Sequence, residues 1–169
     1  KAVQHALALY PSLNGSVDEK GEEIIIKKYY NIGVAVETPD GLMVSVVKNV
    51  EKKTILDIAS ELQDMSRKAR ERKITLDELK GSSFTITNYG SFGGVYATPI
   101  INYPDIAILG TGRIKERPWV KDGVVVARKT LPLSLTFDHR VLDGADASQF
   151  LNKVIGYIED PASIFIESA

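Results

Sequence analysis

Two long amphipathic helices constrain the fold most strongly, because each must place one apolar face against another layer of structure. Residues 54–73 predict the first helix, whose apolar face carries Ile55, Ile58, Ala59, Leu62, Met65 and Ala69. Residues 147–158 predict the second, with an apolar stripe of Ala147, Phe150, Leu151, Val154, Ile155 and Ile158. A shorter helix is predicted at the start of the chain and ends before Pro11.

Short apolar or alternating runs between these helices predict β-strands. Residues 22–37 and 42–47 are two such runs, and the Pro39-Asp40-Gly41 sequence between them is typical of a tight turn. Residues 82–90, 106–114 and 123–137 predict further strands, with Pro118 and Pro132 at edges or bends. Helices that alternate with mostly hairpin-linked strands predict an α/β fold, a two-layer sandwich in which helices cover a mixed β-sheet.

The composition of this 169-residue chain excludes several kinds of function. Lys and Arg number 21 and Asp and Glu number 22, so the net charge of -1 gives no reason to expect nucleic acid or an anionic membrane as a partner. No apolar run approaches the roughly 20 residues that a membrane-spanning helix needs. The absence of cysteine excludes disulfides, thiolate zinc sites and a cysteine acyl-enzyme, and with only two histidines we expect no metal site.

Three other features have ordinary structural interpretations. His5 lies on the first predicted helix and is expected to be a surface or packing residue. Gly110 and Gly112 lack the third glycine and the following helix of a phosphate-binding loop, so they favour close backbone approach in a strand. The basic cluster at residues 67–73 is interpreted as a solvated helix face, with docking of an anionic cofactor as the less favoured alternative.

The segment LPLSLTFDHRVLDG, residues 131–144, brings the second histidine, His139, from an apolar run to an Asp-Gly sequence. Imidazole has a pKa of about 6.5 and is a natural general base for a thiol with a pKa of about 8.5. Asp138, Arg140 and Asp143 crowd around His139 in the sequence, which a purely structural histidine does not require. On this pattern alone, both interpretations of His139 stay open, namely a catalytic base and a core histidine.

DHRVLDG, residues 138–144, resembles the D-H-R-x-x-D-G signature of the dihydrolipoamide acyltransferases, the core subunits of 2-oxo acid dehydrogenase complexes. It also resembles the H-x-x-x-D-G motif of the chloramphenicol acetyltransferases, which share the fold. Three longer segments resemble the same family in the same order, although Ser45 stands where the family usually has proline: YNIGVAVETPDGLMVSVVKNV (30–50), FTITNYGSFGG (84–94) and TPIINYPDIAILGTGRI (98–114). The resemblance covers nearly the whole chain and implies a chloramphenicol acetyltransferase-like fold.

The resemblance also implies a role for each matched residue. His139 would deprotonate the thiol of coenzyme A, or of dihydrolipoamide in the reverse direction, for attack on a thioester carbonyl. Thr87 would donate its hydroxyl to the oxyanion of the tetrahedral intermediate. Asp143 would pair with Arg140 to hold the active-site turn, and Gly144 would allow that turn. A chain without cysteine is expected to transfer the acyl group directly between two bound thiols, without a covalent acyl-enzyme.

The family context implies the substrates, partners and assembly. Coenzyme A would be a substrate, and the lipoyl group would be carried on a domain absent from this chain. Residues 1–169 would form the acyltransferase catalytic domain without its N-terminal segment. In this family His139 and Thr87 would come from different subunits of a homotrimer, which assembles into a larger symmetric core through the C-terminal segment, here residues 164–169.

Through the absent domains, the core would bind the 2-oxo acid decarboxylase and dihydrolipoamide dehydrogenase components. A cytoplasmic location is expected, or the mitochondrial matrix in a eukaryote. Two other functions stay open, namely a structural core subunit that has lost its chemistry and a free-standing acetyltransferase that modifies a small alcohol. The acyl group could be acetyl, succinyl or branched-chain.

Overall fold

A computed structural model describes residues 1–18, 20 and 22–167. The α-helices of this part of the chain are α1 (Ala2–Leu9), α2 (Ile55–Arg70), α3 (Gly144–Glu159) and α4 (Ala162–Glu167). Its strands are β1 (Gly15–Asp18), β2 (Glu23–Ile26), β3 (Ile32–Thr38), β4 (Gly41–Val47), β5 (Phe84–Asn88), β6 (Ala107–Thr111), β7 (Lys115–Lys121), β8 (Val124–Thr130) and β9 (Leu133–Phe137). Short 3-10 helices lie at Pro11–Leu13, Val50–Lys52, Asp77–Leu79 and Gly90–Phe92.

The main sheet has five strands in the order β4-β3-β5-β6-β9. β3, β5 and β6 are parallel, whereas β4 and β9 pair antiparallel at the two edges. The parallel pair β3 and β5 requires a crossover connection, which α2 supplies, and the antiparallel pair β3 and β4 requires only the tight turn predicted at residues 39–41. The predicted mixed sheet with covering helices is therefore confirmed.

The two faces of the main sheet differ in chemistry. One face carries the apolar row Val34, Ile86, Leu109 and Leu135, which four neighbouring strands contribute in register. This face forms a continuous apolar core with α1, α2 and α3, in which the rings of Phe84 and Phe150 lie 5.6 Å apart. Side chains alternate along a strand, so the opposite face carries the adjacent residues, including a row of Thr87, Gly110 and Ser134.

The predicted helix at residues 54–73 is confirmed, with α2 beginning at Ile55 and ending at Arg70. Thr54 is its N-cap, because the Thr54 hydroxyl accepts a hydrogen bond from Asp57 N and the Asp57 carboxylate accepts one from Thr54 N. The same reciprocal arrangement forms between Thr75 and Glu78, where it begins only a single 3-10 turn.

The expectation of one strand over residues 22–37 is wrong. The run contains two strands, since β2 pairs with β1 in a separate hairpin and β3 belongs to the main sheet. The cause is Asn14, a fully buried residue whose amide donates to the carbonyl oxygens of Lys27 and Tyr29 at 2.8 and 3.0 Å. These bonds fix the segment between the two strands, so that β2 does not continue directly into β3.

Strand β7, which contains Pro118, was not predicted from the sequence either. β7 pairs only with β8, in a two-stranded ribbon, and Pro118 lies opposite Ala127. Proline is tolerated there because a ribbon strand has a partner on one edge only, so its other edge needs no N–H donor. Several large apolar side chains of the ribbon are exposed in the single chain, including Trp119, Val120, Val124 and Val125.

Candidate active site

His139 lies in a turn that is anchored on both sides. On one side, β9 ends at Phe137, and Asp138 N donates to the carbonyl oxygen of Ile106 at 2.8 Å. On the other side, Leu142 is buried in the core, and its N–H donates back to Asp138 O at 3.1 Å. The His139 side chain itself is exposed and its ring lies 5.5 Å from that of Phe137. The fold therefore presents the imidazole at the surface from a rigid support.

Asp138 and Arg140 form an ion pair within this turn. The Arg140 guanidinium donates to both carboxylate oxygens of Asp138, with the shortest contact at 2.7 Å, and Arg140 N donates to the same carboxylate at 2.9 Å. These bonds lower the pKa of Asp138, because they stabilise its charged form. The pair fixes the backbone immediately before and after His139.

Among the described residues Arg140 pairs with Asp138, so the predicted pairing of Asp143 with Arg140 is not seen there and stays a prediction. Asp143 is instead the N-cap of α3, and its carboxylate accepts hydrogen bonds from Ala145 N at 2.8 Å and Asp146 N at 3.0 Å. The first N–H groups of a helix have no partner within the helix, and a carboxylate at the N-cap satisfies them. Asp143 therefore holds the turn through the start of α3.

The predicted role of Gly144, which is to allow the turn, also stays a prediction. Gly144 is the first residue of α3 and is not among the glycines with a left-handed backbone conformation. A Cβ atom added there would meet no heavy atom within 4 Å. The bend before α3 comes from the hydrogen bonds to Asp138 and Asp143, so this conformation accommodates other residues at position 144.

The capping role of Asp143 can be tested by stability. Replacing Asp143 with alanine is expected to lower the free energy of unfolding by about 1 kcal/mol, because two N–H groups of α3 lose their acceptor. Asp143→Asn keeps an oxygen acceptor and is expected to be nearly as stable as the wild type. Urea unfolding of the two variants checks this prediction, and equal stability of all three proteins would contradict it.

Thr87 lies in β5 on the face opposite the helices, directly beside Gly110 of β6. Its hydroxyl has no hydrogen-bond partner among the described residues, and its carbonyl oxygen accepts from the Thr111 hydroxyl. Thr85, on the same face, differs because its hydroxyl donates to the buried Asp105 carboxylate at 2.7 Å. Of these two threonines, only Thr87 has a hydroxyl that is available to a ligand.

Thr87 and His139 do not meet within one chain. Across the sheet Thr87 is level with Ser134, and His139 follows Ser134 by five residues along β9 and the turn. With a rise of about 3.3 Å per residue over these five residues and two strand spacings of about 4.8 Å, the two positions are separated by on the order of 20 Å. They also lie on different faces, since His139 contacts Phe137 on the helix-covered side.

A buried polar cluster at the start of β5 and β6 was not predicted from the sequence. The Asp105 carboxylate accepts hydrogen bonds from Ser82 and Thr85 at 3.0 and 2.7 Å, and Lys27 Nζ lies 3.9 Å away. Burial raises the pKa of Asp105, with the hydroxyl hydrogen bonds acting in the opposite direction. Asp105 directly precedes Ile106, which accepts from Asp138 N, so the cluster stiffens the strand end that supports the His139 turn.

The other predicted features have structural roles. Four of the five charges of the basic cluster are paired within the chain; for example, Lys68 contacts Asp64 and Glu78, and Arg72 contacts Asp40 at 2.6 Å. Lys68 and Thr75 lower the pKa of Glu78 to about 2, which reflects the same pairing. His5 is half-buried and lies edge-on to the Tyr157 ring at 6.0 Å, as expected for a packing residue.

Gly110 and Gly112 allow close approach, as predicted, because a Cβ atom at either position would lie 2.6 Å or less from a neighbouring atom. Among the described residues there is no group of three or more His, Cys, Asp or Glu side chains that could hold a metal ion. Within the same residues, no helix has the length and apolar character needed to cross a membrane.

The arrangement of strands and helices defines the class of fold. A chloramphenicol acetyltransferase superimposes with a TM-score of 0.55, over 90% of this chain and 72% of that chain, at 17% sequence identity. This likeness confirms the predicted fold. More specifically, the family model of the 2-oxoacid dehydrogenases acyltransferase (catalytic domain) matches residues 1–166, and the chain belongs to this family.

Individual relatives agree with this assignment. The dihydrolipoyllysine-residue acetyltransferase component of the pyruvate dehydrogenase complex of Bacillus subtilis (strain 168) is 49% identical over 99% of this chain and 38% of its own length. The chain therefore spans well under half of that relative.

Two solved structures, the Azotobacter vinelandii dihydrolipoamide acetyltransferase and the cubic core of a pyruvate dehydrogenase multienzyme complex, each superimpose with a TM-score of 0.93 at 42% identity. Each of these matches covers 98% of this chain and 68% of the other.

Proposed function

We propose that this chain transfers an acyl group between the thiols of dihydrolipoamide and coenzyme A, as the core of a 2-oxo acid dehydrogenase complex. The observation that carries the proposal is the exposed His139, held in a rigid turn of a chain that belongs to the acyltransferase family. Coenzyme A and the lipoyl group enter this proposal as substrates, the latter on a separate domain.

The Azotobacter enzyme supports the choice of residues. A serine, a histidine and an asparagine of that enzyme were investigated for their role in its catalytic mechanism. The serine precedes the histidine by the same number of residues that separates Thr87 from His139, and the asparagine follows the histidine at the spacing of Asp143. Thr87 keeps the hydroxyl of the serine, and Asp143 keeps an oxygen acceptor, so the proposed roles require no side-chain chemistry that this chain lacks.

The proposed reaction is a direct exchange of thioesters. His139 accepts the proton of the attacking thiol, and the sulfur forms a bond to the carbonyl carbon of the acyl thioester. The negative charge that develops on the carbonyl oxygen accepts a hydrogen bond from the Thr87 hydroxyl. The intermediate then expels the second thiolate, which takes the proton back from His139, so the protein ends the cycle unchanged.

The proposed active site lies between two copies of the chain. The separation of Thr87 from His139 supports this arrangement. The Thr87 hydroxyl of one copy is available to a ligand, and a second copy can place its His139 imidazole beside that hydroxyl. A head-to-tail interface of this kind closes into a ring, and a homotrimer is the ring that we propose. The exposed apolar side chains of the β7–β8 ribbon support an interface of this kind, since such side chains are usually covered by a partner.

An activity assay tests the proposed function. The assembled protein is incubated with acetyl-CoA and dihydrolipoamide, and the release of free coenzyme A is followed together with formation of the acetyl-dihydrolipoamide thioester. We expect turnover with dihydrolipoamide and none with chloramphenicol or a comparable small alcohol. No turnover with any acceptor would favour a core subunit that has lost its chemistry, and transfer to the alcohol alone would favour a free-standing acetyltransferase.

The C-terminal helix α4 supports assembly of the ring into a larger core. Ile164 packs against the apolar core, whereas the side chains of Phe165 and Ile166 are 72% and 76% exposed in the single chain. Residues 168 and 169 of the predicted contact segment lie outside the described residues. The relation to the cubic core of a pyruvate dehydrogenase complex supports a symmetric shell, and we propose that Phe165 and Ile166 join one ring to the next.

Replacing both Phe165 and Ile166 with serine is expected to stop assembly at the ring and to leave acyl transfer largely intact. Each side chain contributes roughly 1.5–3 kcal/mol when it is fully buried, so their loss should dissociate contacts between rings. Light scattering measures the size of the assembly, and Glu159→Ser on α3 serves as the exposed control. A variant that keeps the full particle mass would show that the contact between rings lies elsewhere.

Binding of the decarboxylase and dihydrolipoamide dehydrogenase components, and a cytoplasmic location, belong to the same proposal. The Bacillus relative supports them, since it is named as a component of the pyruvate dehydrogenase complex. The name of that relative also favours acetyl over succinyl and branched-chain groups.

A further inference from the structure

The ring of Tyr89 lies over the sheet beside Thr87. Thr87, Gly110 and Ser134 form a row across β5, β6 and β9, with their side-chain positions on one face. A Cβ atom built on Gly110 would lie 2.6 Å from Cε1 of Tyr89, so the ring edge occupies the place of the missing side chain. Since neighbouring strands are about 4.8 Å apart, that edge lies roughly 5 Å from the Thr87 side chain.

The Tyr89 ring is held in place from several directions. Its hydroxyl is hydrogen-bonded to the Ser134 hydroxyl at 3.0 Å. Gly94 contacts the ring closely, because a Cβ atom at that position would lie 3.0 Å from Cδ2, and Pro99 lies against the same space above Gly110. The ring is half-buried, and two glycines make room for it. Because the Tyr89 ring is fixed in this way, it forms a rigid side of any binding site at Thr87.

We propose that Tyr89 is the residue that limits the acyl group, and that the chain transfers short, unbranched acyl groups in preference to branched ones. This inference rests on the proposed function, in which the thioester carbonyl oxygen accepts a hydrogen bond from Thr87. The acyl substituent is bonded to the same carbonyl carbon and so lies within a few ångströms of the hydroxyl. We therefore expect the ring edge beside Thr87 to leave space for the methyl group of an acetyl substrate and to collide with the branched α-carbon of an isobutyryl substrate.

The test compares transfer of acetyl and isobutyryl groups from their coenzyme A thioesters to dihydrolipoamide. We expect the wild type to have a kcat/KM for acetyl-CoA at least about tenfold above that for isobutyryl-CoA, the range that one or two methyl groups produce in a tight pocket. Tyr89→Val removes the ring and should raise the ratio of isobutyryl to acetyl transfer by about 10-fold or more. Tyr89→Phe keeps the ring and should keep the wild-type ratio.

Tyr29→Val is the matched control, since Tyr29 is an exposed tyrosine in the segment between β2 and β3, and it should also keep the wild-type ratio. The inference is overturned if the wild type transfers isobutyryl as readily as acetyl, a result that needs no variant to fold. It is likewise overturned if folded Tyr89→Val keeps the wild-type ratio and changes only the KM for dihydrolipoamide, because the ring would then face the thiol. A wild type that transfers neither acyl group would instead contradict the proposed function.

Discussion

Replacing His139 with alanine is expected to lower the rate of acyl transfer by about 100-fold to 10,000-fold, the usual cost of losing a general base. The thiol must then lose its proton to water, and the attacking thiolate becomes scarce at neutral pH. The fold should be unaffected, because the imidazole is exposed and its ring contacts Phe137 at the surface of the molecule. Steady-state kinetics with acetyl-CoA and dihydrolipoamide measures the loss.

The other histidine provides a matched control for this variant. His5 packs edge-on against Tyr157 of α3, and His5→Ala is expected to keep most of the activity. If His139→Ala retained half of the wild-type turnover, His139 would not be the base.

Replacing Thr87 with valine is expected to lower kcat by about 100-fold to 1,000-fold, with little change in KM. Valine keeps the β-branched shape that suits a strand, so the substitution removes the hydroxyl and little else. Because the hydrogen bond to the carbonyl oxygen strengthens as negative charge develops there, its loss affects the transition state more than the bound substrate.

Thr87→Ser restores the hydroxyl and should recover nearly all of the wild-type kcat. The comparison of valine with serine separates a donor to the oxyanion from a residue that only shapes the site. An increase in KM at unchanged kcat in the valine variant would assign Thr87 to substrate binding and contradict the oxyanion role.

The sequence predicted the parts of the fold that depend on neighbouring residues. The helical periodicity of α2 and α3 and the turn at Asp40-Gly41 are properties of short segments, and each formed as expected. The strand at residues 22–37 failed because its interruption depends on Asn14, which precedes that run in the chain and reaches it only in the folded state. Strand β7 was missed because Pro118 breaks a strand pattern unless one edge of the strand is unpaired.

The candidate site shows a similar division. His139 and Thr87 were named from their resemblance to family motifs, and the structure adds that the first is exposed and that the hydroxyl of the second has no hydrogen-bond partner in the part of the chain that is described. The Asp143–Arg140 pair was expected from the family resemblance, whereas among the described residues Arg140 pairs with Asp138 and Asp143 caps α3. No local signal identified Asp105 or Tyr89, because their partners Ser82, Thr85 and Ser134 are brought to them by the pairing of distant strands.

Each active site is proposed to take His139 from one copy of the chain and Thr87 from another. The most direct test co-expresses the His139→Ala and Thr87→Ala variants, each of which is expected to be nearly inactive alone, and assays the purified mixed assemblies. Random mixing in a ring should place an intact His139 beside an intact Thr87 at about one quarter of the interfaces, so roughly a quarter of the wild-type activity should return. Mixed assemblies no more active than the two variants measured separately would contradict a shared site.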